Sequence, residues 1–229
     1  MKPTVQIAID GPVGSGKTDI SVKLAKALGF VFIYTGAMYR ALALLCLQSG
    51  VDTKDAAAVI ALLSTHTIDL EPPLADSKKP YRVMLDGKDV TELLFTPDCD
   101  RGSSDVGVIP EVRKFMVRRQ QELAQGKSVI MEGRDIGLRV LPLANLKIYL
   151  TADPEERAKR RHEQYMQKGT VKTLEEMIED TKFRDSQDMS RVTDPLQKLP
   201  DAWELDTTHM SQDDVIRAII VELEKRSLI

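Results

Sequence analysis

An apolar run followed by a glycine-rich loop and a helical pattern constrains the fold of this chain more than any other feature. The run Val5–Asp10 precedes Gly11-Pro12-Val13-Gly14-Ser15-Gly16-Lys17-Thr18, which has the spacing Gly-x-x-x-x-Gly-Lys-Thr. Glycines in such a loop let successive backbone N–H groups point at phosphate oxygens, and the following helix adds the positive end of its dipole. The pattern predicts a loop whose eight residues bind a nucleoside triphosphate.

Two side chains at the end of this loop have predicted chemical roles. Lys17 can bridge the outer phosphates, and the hydroxyl of Thr18 is placed to ligate the accompanying Mg²⁺ ion. A glycine-rich turn without a ligand is the alternative for the bare motif. The strand, the loop and the helix agree here, so we favour the phosphate site.

Composition excludes several classes of protein. The chain has 229 residues, of which 42% are hydrophobic and 29% charged, as is typical of one globular domain. Its net charge of −3 lacks the basic field that nucleic-acid polymers require, and no apolar stretch reaches the length of a membrane span. The first strand begins too early for a signal peptide, and the two cysteines suggest buried or incidental thiols of a reducing compartment. The three scattered histidines have no metal-ligand spacing. We expect a cytoplasmic protein without a structural metal.

Apolar runs of strand length alternate with helical patterns, which predicts an α/β fold with a central parallel sheet. The predicted strands are Thr4–Ile9, Val31–Tyr34, Ser128–Glu132, Leu146–Leu150 and Ala202–Leu205. The predicted helices are Lys17–Leu28, Ala37–Gln48, Lys54–Leu63, Glu111–Gln125, Pro154–Gln167, Leu174–Ser186 and Gln212–Lys225.

Residues 67–105 interrupt this alternation. The dipeptide Asp86-Gly87 lies between short apolar runs and predicts a hairpin, so we expect a small β-rich insertion here. A second polar interruption, near Gly169 and Thr170, separates two long charged helices.

The loop alone does not distinguish a GTPase switch, an ATPase motor and a kinase of small molecules. A switch would carry Asp-x-x-Gly and Asn-Lys-x-Asp, but no glycine has an aspartate three positions before it and Asn145 is the only asparagine. A motor would be expected to have a longer core and a clear carboxylate pair after a strand, whereas Glu132 is followed by Gly-Arg-Asp.

Five arginines between residues 157 and 191 favour phosphotransfer. Arg157, Arg160 and Arg161 share one side of the first charged helix, and Arg184, Asp188 and Arg191 recur at i, i+4 and i+7 on the second. A solvated face with intrahelical ion pairs is the alternative. In a chain with a phosphate-binding loop, these helices around Gly169 instead predict a lid over residues 157–191, with Arg157 contacting the triphosphate.

Three longer motifs resemble the bacterial cytidylate kinases, a family of P-loop nucleoside monophosphate kinases. They are Asp10-Gly11-Pro12 through Lys17, Tyr34-Thr35-Gly36-Ala37-Met38-Tyr39-Arg40, and Gly133-Arg134-Asp135-Ile136-Gly137. The resemblance covers essentially the whole chain. It implies a single three-layer P-loop kinase domain over residues 1–229, with an NMP-binding insertion and a helical lid. It also implies a monomer of pyrimidine nucleotide metabolism that transfers the γ-phosphate of ATP to CMP or dCMP with Mg²⁺.

The resemblance assigns the acceptor's phosphate and sugar to particular residues. Arg40 and Arg134 match the arginines that hold the acceptor phosphate, and Arg184 and Asp188 match the pair at the ribose 2′-hydroxyl. Arg191 matches an arginine that enters the closed site. The residues expected to be catalytic are Lys17, Arg134, Arg184 and Arg191.

The cytosine ring is assigned to Ser104, Arg113 and Asp135, with Thr35 and Tyr39 as further substrate contacts. The chemistry fits, because cytosine offers an amino donor beside two ring acceptors. Structural roles without a ligand stay open as alternatives at several of these positions. The role given to Ser104 could belong to the adjacent Ser103. Arg113 could pair with Glu111 or Gln120 on its own helix, and Arg134 could form a structural ion pair with Asp135. Arg40 lies on an otherwise apolar helix, where an unpaired arginine would be costly, which favours a ligand role.

The chain departs from the family pattern at Thr18-Asp19, where glycine-threonine is common, at Glu132, where aspartate is common, and at Thr35, where serine is common. The extra charge at Asp19 lies near the phosphates. Alternative functions are a kinase of another nucleoside monophosphate or small metabolite, and a nucleotide-binding regulator without turnover.

Overall fold

The computed structural model of the protein describes residues 4–74, 77, 79–167, 172–191 and 193–229. The chain forms two compact units, one of Met1–Phe30 with Ser128–Ile229 and one of Val31–Lys127. The predicted interruption at Gly169 and Thr170 lies outside the described residues. Within the described ranges, no helix combines the length and the hydropathy that a membrane span requires.

The helices and strands are numbered here in chain order. They are β1 (Gln6–Asp10), α1 (Lys17–Leu28), β2 (Val31–Tyr34), α2 (Thr35–Gln48), α3 (Ala56–Thr65), β3 (Ile68–Glu71), β4 (Arg82–Leu85), β5 (Lys88–Asp89), α4 (Pro97–Val106), α5 (Pro110–Ala124), β6 (Val129–Gly133), β7 (Leu146–Thr151), α6 (Pro154–Gln167), α7 (Leu174–Ser190), β8 (Trp203–Asp206) and α8 (Gln212–Lys225). A 3-10 turn covers Thr91–Leu93, and a π-helical turn covers Ile136–Val140.

The first unit is built on parallel strands in the order β6-β1-β7-β8. Ile9 of β1 lies opposite Glu132 of β6 and Ile148 of β7. Successive side chains of a strand point to opposite faces, and Ile7, Ala8 and Ile9 are all fully buried. Both faces of the sheet are therefore covered at β1, and the predicted α/β class with a central parallel sheet is confirmed.

Helix boundaries follow local capping chemistry. The predicted bounds of α1, α6 and α8 agree with the structure, and Gly29 ends α1 with a φ of 67°. The predicted capping box of α7 is present: the Thr173 hydroxyl accepts from Glu176 N at 3.2 Å, and Glu176 Oε2 accepts from Thr173 N at 2.8 Å. Helix α7 continues to Ser190, four residues beyond the prediction, so Arg191 follows the helix and does not lie on it.

The second unit contains the predicted hairpin and one helix that was not predicted. Strands β3, β4 and β5 form an antiparallel sheet, and Asp86 and Gly87 make the turn with φ values of 49° and 74°. The segment 67–105 is β-rich only in its first part, because α4 begins at Pro97. The Thr96 side chain caps α4 by accepting from Cys99 N at 3.1 Å.

Candidate active site

The glycine-rich loop joins β1 to α1 in the first unit, as predicted. Gly14 and Gly16 have φ values of 76° and 85°, and Gly16 precedes the first residue of α1. A Cβ atom on Gly14 would lie 2.7 Å from the carbonyl oxygen of Arg157, so α6 packs directly against the loop. Positive φ values and a helix N-terminus together form an anion-binding concavity.

Lys17 supplies the positive charge of this loop and is buried, with 5% of its surface exposed. Its Nζ donates to Pro12 O at 2.7 Å and to Ser15 Oγ at 3.2 Å. Burial, and next the positive charge of Arg134, lower the pKa of Lys17 to about 7, although Glu132 opposes this shift. An anion bound in the loop would favour the charged ammonium.

Glu132 is a site residue that the sequence analysis treated only as a departure from the family pattern. It lies in β6, is 3% exposed, and its Oε1 accepts from the Thr18 hydroxyl at 2.6 Å. Its position near the end of a predicted buried strand could have marked Glu132 as a site residue, because ligands bind at the carboxyl edge of a parallel sheet. Two oxygen ligands of the kind that Mg²⁺ prefers are thereby adjacent.

Arg134 and Asp188 form an ion pair, with Nε and Oδ2 2.6 Å apart. Arg134 also donates to Gly133 O at 3.2 Å. Burial alone would raise the pKa of Asp188, but Arg134, followed by Arg191 and Arg184, holds it below the ordinary value. The first unit therefore brings the predicted phosphate arginine, the predicted ribose carboxylate and the two further predicted arginines into one electrostatic cluster.

Asp10 connects the end of β1 to the segment that follows Arg134. Its two carboxylate oxygens accept from Ile136 N at 2.9 Å and Gly137 N at 2.8 Å. Burial raises the pKa of Asp10 to about 6, and the charge of the neighbouring, buried Asp135 adds to this shift. Asp10 belongs to one of the motifs shared with the family, but no role for it was predicted from the sequence.

The arginines of α6 do not share partners. Arg157 is 4% exposed, and it donates to Ala152 O at 3.0 Å, Val13 O at 2.9 Å and Asp185 Oδ2 at 2.7 Å. Through its bond to Val13 O, Arg157 therefore stabilises the conformation of the glycine-rich loop. Arg160 instead donates to Thr207 O at 2.8 Å, after β8.

Two other arginines of the predicted lid also make contacts within the first unit. The Arg161 guanidinium lies 5.5 Å from the ring centre of Tyr165. Arg191, which follows α7, donates to Asp194 O at 2.9 Å. The predicted common face of Arg157, Arg160 and Arg161 is thus divided between different neighbours.

The second unit holds the other predicted acceptor residues, Thr35, Tyr39, Arg40, Ser104 and Arg113. Ser103 and Ser104, on α4, both donate to the main-chain carbonyl of Asp100, at 2.9 and 3.4 Å. Arg113 is 3% exposed and donates to Gly107 O at 3.3 Å.

Arg40 has a partner within the protein, so the cost of an unpaired arginine no longer argues for its ligand role, which stays a prediction. Its Nε and Nη2 lie 2.9 and 2.8 Å from Asp100 Oδ1, because the unpredicted helix α4 packs against α2. Burial alone would lower the pKa of Arg40, but Tyr34 and Asp100 raise it above its ordinary value. Arg40 is therefore a charged, partnered side chain.

Comparison with known proteins identifies the family of this site. The family model described as cytidylate kinase matches residues 7–225. The chain belongs to the cytidylate kinase family. The predicted resemblance is confirmed.

Curated relatives in the cytidylate kinase family match along nearly the full chain. A cytidylate kinase of Caldanaerobacter subterraneus subsp. tengcongensis is 42% identical over 224 residues, covering 98% of this chain and 96% of the relative. One of Caldicellulosiruptor bescii is 44% identical over 216 residues, or 94% of each chain. The crystal structure of an uncharacterized protein from Eubacterium ventriosum covers 97% of this chain and 99% of its own, with a TM-score of 0.52 and 13% identity. That last likeness concerns the fold alone.

Proposed function

We propose that the chain transfers the γ-phosphate of ATP to CMP or dCMP, which gives ADP and CDP or dCDP. The observation that carries this proposal is the match of the cytidylate kinase model to residues 7–225. The positive φ values of Gly14 and Gly16 and the burial of Lys17 support the triphosphate end of the reaction.

ATP and Mg²⁺ fit the residues of the first unit. The amides of residues 11–18 and the Lys17 ammonium would hold the β- and γ-phosphates. Thr18 and Glu132, whose oxygens are already 2.6 Å apart, would hold Mg²⁺ directly or through water. Mg²⁺ held there would supply positive charge that offsets part of the negative charge of the phosphates. Arg157 would keep the loop in shape through its bond to Val13 O.

In this proposal, three groups of residues would bind the phosphate, the ribose and the base of the acceptor. Arg40 and Arg134 would bind its phosphate, because a guanidinium matches two phosphate oxygens at once. Asp188 and Arg184 would contact the ribose. The residues assigned to the cytosine ring and its surroundings are Thr35, Tyr39, Ser104, Arg113 and Asp135.

Catalysis in this proposal rests on positioning and electrostatics, without a covalent enzyme intermediate or an essential general base. Lys17, Arg134, Arg184 and Arg191 would stabilise the negative charge of the transferring phosphoryl group. The lid of residues 157–191 would exclude water, which would otherwise hydrolyse ATP. We also propose a monomer in the cytoplasm, where the buried thiols of Cys46 and Cys99 stay reduced.

A coupled assay of ADP release tests the function against its alternatives. The acceptors would be CMP, dCMP, UMP, AMP and shikimate, and we expect turnover to be fastest with CMP or dCMP. Fastest turnover with another acceptor would identify a different kinase, and no turnover with any would favour a nucleotide-binding regulator.

Lys17→Ala tests the proposed mechanism in the same assay. We expect turnover to fall by about a hundredfold or more, because a charge that stabilises the transition state is lost. Circular dichroism should show an intact fold. Lys23→Ala on the same helix removes an exposed lysine and should keep wild-type turnover. Near-normal turnover of Lys17→Ala would contradict the mechanism.

A further inference from the structure

Arg40 makes its ion pair through the edge of the guanidinium that best binds an anion. Nε and Nη2 both reach Asp100 Oδ1, at 2.9 and 2.8 Å. This planar edge presents two parallel N–H donors, which is the geometry that binds carboxylates and phosphates bidentately. A carboxylate of the protein therefore lies where one oxygen of an acceptor phosphate would bind.

Other groups fix Arg40 independently of Asp100. Its Nη1 donates to the Tyr34 hydroxyl and, at 3.4 Å, to Gly36 O. The guanidinium carbon lies 5.5 Å from the ring centre of Tyr34 and 5.8 Å from that of Phe95, within the range of cation–π attraction. Arg40 would therefore keep its place if Asp100 moved away.

Asp100 is the partner that can move. Its side chain is 29% exposed, whereas that of Arg40 is 14% exposed. Asp100 lies in the first turn of α4, where the helix dipole favours a negative charge. A displaced carboxylate would thus lie in water at a helix N-terminus, and its release from Arg40 has a modest cost.

We infer that Asp100 is an internal counter-anion that competes with the acceptor phosphate for Arg40 and so lowers the affinity of the acceptor site for phosphate-bearing ligands. This inference rests on the proposed role of Arg40 in acceptor binding. Phosphate and carboxylate require the same edge of the guanidinium and repel each other, so the acceptor must displace Asp100. Inorganic phosphate would gain only the arginine contacts, whereas a nucleotide would also gain its base and sugar contacts. The cost of displacing Asp100 is common to both ligands and weakens each by the same factor, and only the nucleotide has further contacts that offset it.

Titration calorimetry of Asp100→Asn tests the competition, with CMP, cytidine and inorganic phosphate as separate probes. Removal of one negative charge from a partly exposed ion pair should lower the dissociation constants of CMP and phosphate about five- to tenfold. Cytidine has no phosphate, so its affinity should stay unchanged. The kcat value with saturating CMP should also stay within about twofold, because Asp100 is already displaced in the complex.

Asp98→Asn is the matched control. It removes the same charge from the same helical turn, but Asp98 pairs with the exposed Arg101 and not with Arg40. CMP affinity of this variant should equal that of the wild type. The asparagine amide could still occupy the guanidinium edge of Arg40, so Asp100→Ala is measured as a second variant. Thermal melting of both Asp100 variants checks that they are folded.

Weaker or unchanged CMP and phosphate binding in both Asp100 variants would overturn the inference. Weaker binding would mean that Asp100 orients Arg40 for the acceptor. The proposed function fails separately, if wild-type protein binds CMP without phosphorylating it. The phosphate titration then still decides whether Asp100 competes.

Discussion

At the scale of single residues, charged groups of the candidate site are held by partners within the protein. Arg40 is paired with Asp100, Arg134 with Asp188, and the Thr18 hydroxyl with Glu132. A phosphate that enters the site must therefore exchange one set of charge-assisted hydrogen bonds for another. The net affinity is the difference between the two sets, which is smaller than the strength of either. The acidic partners therefore influence the net affinity for phosphate together with the arginines.

Asp188 differs from Asp100 because it is also the carboxylate proposed to contact the ribose, and two effects are separable at this residue. Asp188→Ala should lower kcat/KM for CMP and for dCMP by a common factor, since Arg134 loses the bond that holds its Nε. CMP should lose about a further tenfold, because only CMP has the 2′-hydroxyl that a carboxylate can bind. Steady-state kinetics with both acceptors measures the two factors.

A second carboxylate of the same helix provides the control. Asp180→Asn on α7 removes a carboxylate that pairs with Lys172, and both side chains are more than one third exposed. It should leave both kcat/KM values near those of the wild type. Equal losses for CMP and dCMP in Asp188→Ala would argue against a sugar role and leave Asp188 as a positioning residue for Arg134.

At the scale of elements, the contact between α2 and α4 brings Arg40 and Asp100 together. Gly102 of α4 makes this possible, since a Cβ atom there would lie 2.9 Å from Ala43 Cβ and 3.0 Å from a methyl group of Thr53. The Thr53 hydroxyl donates to Asp105 Oδ2 at 2.7 Å and fastens the end of the same helix. The site thus depends on a close approach of two helices that only glycine allows.

Gly102→Ala should destabilise the protein although alanine is the better helix former. The gain in helix propensity is about 1 kcal/mol, and overpacking against a backbone-attached Cβ costs about 1–3 kcal/mol, so we expect a net loss of about 1 kcal/mol in the free energy of unfolding. Urea denaturation measures it. Ala43→Gly restores the space, so the double variant should be more stable than the two single changes predict by addition. A Gly102→Ala variant more stable than wild type would contradict the close approach.

The sequence predicts those elements whose signals are local. Helix α1 has a glycine at each end, and the capping box of α7 lies within Thr173–Glu176, so both helices begin where expected. Helix α4 has few apolar positions, so its sequence shows little of the apolar pattern that predicts a helix. Its N-cap, Thr96, lies in the segment that was predicted to be β-rich. Its contribution to the site could not be predicted either, because Arg40 and Asp100 are 60 residues apart and Thr18 and Glu132 are 114 apart. Pairings of this kind depend on tertiary packing.

At the scale of the whole molecule, the two compact units divide the proposed reaction. The residues proposed for the triphosphate lie in the first unit, and most of those proposed for the cytosine ring lie in the second. Within the first unit, Asp10 ties the end of the central strand β1 to the turn at Ile136–Val140. A buried carboxylate with two main-chain donors therefore couples the stability of this unit to its candidate site.

The raised pKa of Asp10 predicts how the stability of the first unit depends on pH. The pKa is about 6 in the folded protein against 3.8 for an aspartate side chain in water. The folded state therefore retains the proton that the unfolded chain releases, so the stabilisation is complete below pH 3.8 and is lost as pH rises through about 6. The full loss is of order 3 kcal/mol, from about 1.4 kcal/mol per pKa unit.

The comparison of wild type with Asp10→Asn isolates this effect from other titrating groups, such as Asp188, whose lowered pKa has the opposite sign. The fluorescence of Trp203, the single tryptophan, reports on urea unfolding of the first unit. Wild-type stability minus variant stability should fall between pH 4 and pH 7, because asparagine does not titrate. A difference that stays flat or rises with pH would show that the two N–H donors stabilise the carboxylate more than burial destabilises it.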